Sequence, residues 1–169
     1  PVVTFVDVPG YRPGAQQEHA GIIRRGAKVI NAYATATVPL VTVVLRKAYG
    51  GAYIVMGSKS IGADLNFCWP GAEIAVLGAA GAVGIIPRRH FAEIEATQGR
   101  EAAQAEHERL LARYSDEVIN PDKAVALGEI DAVIAPENTR TVIAESLAAL
   151  LAKQDVHRAG AKKHDNGPL

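Results

Sequence analysis

The sequence predicts an α/β fold in which short parallel β-strands are covered by helices on both faces. Hydrophobic residues make up 49% of the 169 residues and charged residues 21%, a balance typical of a packed globular domain. The segments that favour strands are short and apolar throughout instead of alternating, which is typical of parallel strands buried on both sides. Strand and helix patterns alternate along the chain, and with no internal repeat or linker they predict a single domain.

The first half of the chain carries two predicted strands and two predicted helices. Pro1–Val8 is apolar and β-branched and stops at a Pro-Gly turn, so it predicts a buried strand. Gln16–Tyr33 has helical spacing, and its two internal glycines, Gly21 and Gly26, indicate close packing against another backbone. A second strand follows over Leu40–Leu45 and a short helix over Ala52–Lys59.

The second half continues the alternation. Pro87–Tyr114 is charged and alanine-rich, and it predicts one long helix or two helices broken near Gly99. A last helix follows Pro136, and its predicted buried stripe consists of Ile143, Leu147, Leu150 and Leu151. The other predicted elements are a strand at Glu73–Leu77, a short helix through Ile86, a short helix between Asn120 and Gly128, a strand at Asp131–Ala135 and a flexible tail over residues 154–169.

Composition excludes several classes of protein. Lysine plus arginine and aspartate plus glutamate number 18 each, which argues against a nucleic-acid-binding surface. The single cysteine, Cys68, cannot form a disulfide within the chain, so a reducing, cytoplasmic location is expected. No apolar run is long enough for a membrane span. The first residue is Pro1 and the only methionine is Met56, so the chain is expected to be part of a longer protein.

The feature that suggests chemistry occurs twice and consists of a strand, a glycine-containing turn and a short helix. One copy is the turn Gly50-Gly51-Ala52-Tyr53 after the second strand, and the other is Gly78-Ala79 after the third. Backbone N–H groups at a helix start are unpaired, and glycine lets a ligand atom approach them. Such turns can stabilise an oxyanion, although the glycines could equally serve only to allow a tight turn.

Side-chain chemistry is less evident in the sequence. Cys68 lies in an apolar setting and is expected to fill the core, whereas Asp7 and Glu18 are expected to cap helices or form salt bridges. The histidines are scattered without the spacing of a metal site. Backbone donors without a convincing acid, base or metal suit a reaction in which the protein stabilises an enolate while substrate or cofactor transfers the proton.

Several long, uncommon motifs occur in order between about residue 1 and residue 150. They are Phe5-Val6-Asp7-Val8-Pro9-Gly10-Tyr11, Gln17-Glu18-His19, Gly21-Ile22-Ile23-Arg24, Leu45-Arg46-Lys47-Ala48-Tyr49-Gly50-Gly51-Ala52-Tyr53, Ile61-Gly62-Ala63-Asp64 and Ala72-Glu73-Ile74-Ala75-Val76-Leu77-Gly78. Together they resemble the carboxyltransferase β subunit of biotin-dependent acyl-CoA carboxylases of the acetyl-CoA and propionyl-CoA type. The resemblance implies a crotonase-like spiral of β-β-α units, with residues 1–153 as the second, biotin-side domain and without the first, acyl-CoA domain, so the chain alone is expected to be inactive.

The resemblance also implies a reaction and a site. The family transfers CO2 from carboxybiotin, carried on a partner subunit, to the α-carbon of an acyl-CoA, and two backbone N–H groups hold the biotin enolate. These positions correspond to Gly51 and Ala52, and the biotin-binding turn to Gly50, Gly51, Ala52 and Tyr53. Ile54 stands where the family tunes acyl-chain preference, and because propionyl-selective members have aspartate there, acceptance of acetyl or longer chains is expected.

The resemblance further implies a biotin carboxylase or carrier subunit as partner, a homo-oligomer such as a hexamer, a role in lipid metabolism, and no metal. Two alternatives stay open. One is a crotonase-type enoyl-CoA hydratase or isomerase, which would need one or two catalytic carboxylates. The other is a non-catalytic assembly role.

Overall fold

The computed structural model describes residues 1–85 and 88–153, and within these ranges five strands form one sheet. Every pairing is parallel, as the sequence predicts: β1 pairs with β2, β2 with β3 and β4, and β3 with β5. The strands are β1 (Val2–Val8), β2 (Leu40–Tyr49), β3 (Leu65–Cys68), β4 (Glu73–Ala75) and β5 (Ala132–Val133).

Helices connect the strands as the alternation along the sequence predicts, except between β3 and β4, which follow each other without a helix. The α-helices are α1 (Ala15–His19), α2 (Ile22–Thr35), α3 (Gly50–Ile54), α4 (Ala79–Ile85), α5 (Arg88–Gln98), α6 (Arg100–Tyr114), α7 (Pro121–Ala126) and α8 (Thr139–Ala149). Short 3-10 turns lie at Lys59–Ile61 and Pro136–Asn138, and a π-helical turn at Ser115–Ile119 follows α6. In the part of the chain that the structure describes, no helix combines the length and apolarity needed to cross a bilayer.

The central strand β2 is buried on both faces and supplies most of the core. Val44 and Ala48 belong to one apolar cluster, whereas Val41 and Val43 belong to a second cluster on the opposite face. This two-sided burial explains why the sequence of β2 is apolar without alternation. Because β2 is anchored on both faces, the position of its carboxyl end is fixed by the core.

The first strand lies at an edge of the sheet, and its predicted full burial is wrong. Val6 is inaccessible to solvent, but Phe5 is 51% exposed and Val2 39% exposed. Successive side chains of an edge strand point to opposite faces, and only one face of β1 is covered by the core. The apolar composition of β1 therefore does not report burial on both sides.

Glycines divide two of the predicted helices. Gly21 adopts a left-handed φ of +76° and separates α1 from α2, so the single helix predicted over residues 16–33 is wrong. Gly26 does pack closely, but against the side chain of Tyr11 and not against a backbone. Gly99, with φ of +90°, separates α5 from α6 and confirms the second of the two predicted alternatives.

Several predicted boundaries also change. Strand β3 is missing from the prediction, and the helix predicted over residues 52–59 ends at Ile54. The strand predicted over residues 73–77 ends at Ala75, and Val76 beyond it is 77% exposed. Ile143, Leu147 and Leu150 pack on the core as predicted, but Leu151 is 83% exposed because α8 has ended. The predicted tail over residues 154–169 lies outside the described residues.

Candidate functional site

A β-bulge precedes the carboxyl end of β2. Val6 pairs with Val44 and Val8 pairs with Ala48, so three residues of β2 lie opposite Asp7 alone. The carboxylate of Asp7 accepts hydrogen bonds from the Lys47 amide at 3.2 Å and from the guanidinium of Arg46 at 2.9 and 3.2 Å. Arg46 lowers the pKa of Asp7 chiefly through this hydrogen bond, and the predicted salt-bridge role of Asp7 is confirmed. Bulges change the direction of a strand, and this one lies just before the turn formed by Gly50, Gly51 and Ala52.

The last residue of β2, Tyr49, ties the strand end to its neighbours. Its hydroxyl donates a hydrogen bond to the carboxylate of Glu73 at the start of β4. Burial, followed by this contact with Glu73, raises the pKa of Tyr49 well above its ordinary value, so the hydroxyl stays protonated. The Tyr49 ring also lies against Gly78, where an added Cβ would be 2.9 Å from Cε2. The glycine in the second predicted turn is therefore explained by packing against Tyr49.

Helix α3 begins directly after Tyr49 with a glycine that no other residue could replace without strain. Gly50 has a left-handed φ of +56°, and an added Cβ would lie 2.9 Å from the carbonyl oxygen of Val76. The first N–H groups of an α-helix have no acceptor within the helix, and Gly51 and Ala52 belong to this first turn. The turn therefore directs backbone donors away from the helix, as an oxyanion site requires.

A recess of about 260 Å³ lies beside this turn. Its polar side includes Lys59, whose ammonium group forms a 2.8 Å ion pair with Asp131. Its apolar side consists of residues that are largely exposed although they are hydrophobic, which is unusual outside binding surfaces. These residues are Ile54 (40% exposed), Val76 (77%), Val118 (42%) and Leu127 (76%).

The structure places the five predicted site residues around the turn but not all in the recess. Gly50, Tyr53 and Ile54 line the recess. Gly51 is exposed and lies on the side of Tyr11, since an added Cβ there would be 3.8 Å from the ring carbon Cε2. Ala52 is buried, with 4% of the whole residue exposed. The backbone of residues 50–52 therefore lies between the recess and the Tyr11 side chain.

Neither the single cysteine nor the metal-binding residue types form a reactive site in the ranges that the structure describes. Cys68 is inaccessible to solvent, and burial raises the pKa of its thiol to about 11, so the predicted role as a core filler is confirmed. Residues 1–85 and 88–153 contain no group of three or more histidine, cysteine, aspartate or glutamate side chains that could hold a metal ion.

Sequence reasoning missed the two side chains that lie beside the turn, Tyr11 and Tyr49. Tyr49 immediately precedes the Gly-Gly pair, and this adjacency was the available signal. Its partner Glu73 is 24 residues away, so nothing local could reveal the contact. Tyr11 and Gly26 similarly meet only in the folded chain.

Comparison with known proteins now identifies the family. The family model described as carboxyl transferase domain matches residues 1–166. The propionyl-CoA carboxylase beta chain of Saccharopolyspora erythraea is 54% identical over 169 residues, which is all of this chain and 30% of that relative. The biotin-dependent acetyl-/propionyl-coenzyme A carboxylase beta5 subunit of Mycobacterium tuberculosis is 50% identical over the same length and is also covered to 30%.

Among solved structures, transcarboxylase 12S with methylmalonyl-coenzyme A and methylmalonic acid bound superposes with a TM-score of 0.87 at 44% identity. That match covers 99% of this chain and 31% of the transcarboxylase chain. This chain thus spans about 30% of the length of the curated relatives it matches. Its structural neighbours are carboxyltransferases of the crotonase-like fold, in agreement with the predicted fold class. The chain belongs to the carboxyl transferase domain family.

Proposed function

We propose that this chain forms the biotin-side part of a biotin-dependent acyl-CoA carboxyltransferase. The reaction would move a carboxyl group from carboxybiotin, carried on a partner subunit, to the α-carbon of an acyl-CoA. The observation that carries the proposal is the left-handed Gly50 turn that starts α3, whose first N–H groups have no acceptor within the helix, in a chain that is 54% identical to a propionyl-CoA carboxylase beta chain.

In this proposal the amides of Gly51 and Ala52 donate hydrogen bonds to the ureido oxygen of biotin, where negative charge develops. Biotin supplies the transferable carboxyl group and takes up the α-proton of the thioester. The turn fits such a group because Gly51 is exposed and has no side chain that would block an approaching oxygen. Preorganised donors of this kind stabilise the charged transition state without a cost of reorganisation.

The environment of the turn supports the assignment of proton transfer to biotin and not to a side chain. Two nearby acids are already engaged, since Glu73 accepts from Tyr49 and Asp131 pairs with Lys59. Glu129 is the one carboxylate among the residues that line the recess. A hydratase or isomerase would need one or two catalytic carboxylates, and the match of residues 1–166 to the carboxyl transferase family model favours carboxyl transfer over that alternative.

The recess also supports a broad acyl preference. Ile54 lines it together with Val76, Val118 and Leu127, which gives an apolar surface next to the turn. We expect acetyl and longer acyl groups to be accepted, because apolar acyl chains lose contact with water at such a surface.

We further propose a biotin carboxylase or carrier subunit as partner, assembly into a homo-oligomer, a cytoplasmic location and a role in lipid metabolism. Support for an oligomer comes from the structural relative transcarboxylase 12S, which assembles as a hexamer.

A chimeric β chain provides the test. These 169 residues replace the matching segment of the Saccharopolyspora erythraea beta chain, and carboxyl transfer is measured with the biotinylated partner and acyl-CoA. Ala52→Pro removes one backbone donor and should lower the rate about 100-fold. Ala52→Gly keeps the N–H group and serves as the matched control.

Unchanged transfer in the Ala52→Pro chimera would refute the role of the amide. An unsubstituted chimera that assembles but transfers no carboxyl group would refute the proposed function and favour an assembly role. Hydration of enoyl-CoA by the same chimera would favour the hydratase alternative.

A further inference from the structure

The side chain of Tyr11 lies between helix α2 and the first turn of helix α3. On the α2 side, an added Cβ at Gly26 would overlap the Tyr11 hydroxyl and would lie 2.8 Å from its Cζ. On the α3 side, the ring carbon Cε2 lies 3.8 Å from the position that a Cβ on Gly51 would take, which is ordinary van der Waals distance. The same ring therefore lies next to both helices.

Gly26 provides the space that this arrangement needs. It is the one buried residue of α2, and any side chain at this position would push the Tyr11 ring out of its place. Its helical position does not otherwise call for glycine, which is less favourable than alanine in a helix interior. The packing against Tyr11 gives a reason for glycine at this position.

We propose that Tyr11 is a positioning residue for the Gly51 and Ala52 amides, and that Gly26 is required because it lets the Tyr11 ring reach the turn. The inference rests on the proposed function and extends it to a residue outside the turn. Tyr49 and Glu73 hold the turn where β2 ends, and Tyr11 supports it from the side of α2. The ring edge lies beside Gly51, with room for no more than a methyl group between them, whereas the hydroxyl lies over Gly26.

Four variants of the chimeric β chain test this inference: Tyr11→Ala, Tyr11→Phe, Gly26→Ala and the double variant Tyr11→Ala/Gly26→Ala. Two readouts are measured for each, namely steady-state carboxyl transfer and deuterium uptake of the peptide that spans residues 50–54. The second readout does not depend on activity, so it reports on Tyr11 even if the proposed function is wrong.

We expect Tyr11→Ala and Gly26→Ala each to lower kcat by roughly 10-fold to 100-fold, because a small displacement of preorganised groups is costly. The KM for acyl-CoA should stay unchanged, since the acyl chain is not held by this ring. Both variants should increase deuterium uptake at residues 50–54. Tyr11→Phe keeps the ring and should match the unsubstituted chimera in both readouts.

The double variant separates this mechanism from two independent defects. If Gly26→Ala acts only by displacing the ring, adding it to Tyr11→Ala should cause no further loss. Additive losses, or normal kcat and normal uptake in Tyr11→Ala, would overturn the inference. If Tyr11→Ala prevents folding, Tyr11→Leu takes its place, because it retains apolar volume but lacks the ring edge at Gly51.

Discussion

Replacement of Gly50 by alanine should destabilise the fold, whereas the same change at Gly51 should not. Gly50 has φ of +56°, and its added Cβ would lie 2.9 Å from the backbone oxygen of Val76. Gly51 has no such φ, and its added Cβ would meet only Tyr11 Cε2 at 3.8 Å. The two glycines are adjacent in sequence and therefore form a matched pair.

The expected magnitude follows from these two geometries. A left-handed backbone costs a residue with a Cβ about 1–2 kcal/mol. The overlap with a backbone oxygen requires the turn to shift, and an overpacked contact of this kind costs about 1–3 kcal/mol. Gly50→Ala should therefore lower the free energy of unfolding by about 2–5 kcal/mol. Gly51→Ala should change it by less than about 1 kcal/mol, in the stabilising direction, because alanine favours the helix.

The assay is thermal unfolding of the unsubstituted and substituted chains followed by circular dichroism. For a chain of this size, 1 kcal/mol corresponds to a change in Tm of about 2–4 °C. The Tm of Gly50→Ala should therefore fall by at least about 4 °C, whereas Gly51→Ala should stay close to the unsubstituted chain. Equal Tm values for the two variants would refute the reasoning, because the strained φ and the close Val76 oxygen would then have no energetic consequence.

Three further predictions concern stability, cysteine reactivity and acyl preference. Asp64→Ala should lower the free energy of unfolding, measured in urea, by about 1–3 kcal/mol, because the buried Leu40 amide loses its 2.7 Å acceptor. The control Asp7→Ala should lower it less, because the Asp7 carboxylate is partly exposed. Equal losses in the two variants would contradict the argument. Cys68 should react about 100-fold more slowly with iodoacetamide at pH 8 than the thiol of an unfolded chain. Burial raises the pKa of Cys68 to about 11 from the ordinary 9.0, so a smaller fraction is present as the reactive thiolate. The thiol of the unfolded chain ionises at lower pH than that of the folded chain, so the free energy of unfolding should fall as the pH rises from 9 towards 11. Rapid labelling of the folded chain, or a free energy of unfolding that does not change over this pH range, would count against the burial of Cys68. Ile54→Asp in the chimera should shift the ratio of kcat/KM values towards propionyl-CoA by about 10-fold, and an unchanged ratio would show that this position does not select the acyl chain.

The parts of the fold that follow from local sequence pattern are predictable, whereas the parts that depend on contacts between residues distant in sequence are not. β2 is recognisable because both of its faces are buried, which makes its sequence continuously apolar. β3 escapes detection because it is four residues long and contains the polar Asn66, whose backbone N–H donates to the distant carboxylate of Asp131. Gly21 breaks the first helix through its positive φ, which helical spacing alone does not reveal.

The candidate site divides in the same way. The turn from Gly50 to Ala52 is visible in the sequence, because paired glycines after a strand are a local signal. The side chains that hold the turn are not visible, since Tyr49 meets Glu73 and Tyr11 meets Gly26 across long stretches of sequence. A sequence pattern can thus indicate which residues carry the backbone N–H donors, but not which distant side chains pack beside them.

The bulge in β2 has a consequence for how the site can evolve. Residues 41–44 pair with β3, whereas residues 47–49 pair with β4, so different neighbours hold the two halves of one strand. Asp7 accepts from the Lys47 amide at the start of the second half, where the ladder with β1 is interrupted. Insertions or deletions at residues 45 and 46 could therefore reorient the carboxyl end of β2 while the register of the core half is preserved. Divergent members of a family could change the orientation of the turn after β2 toward a substrate at the bulge, without changing the packing of the hydrophobic core.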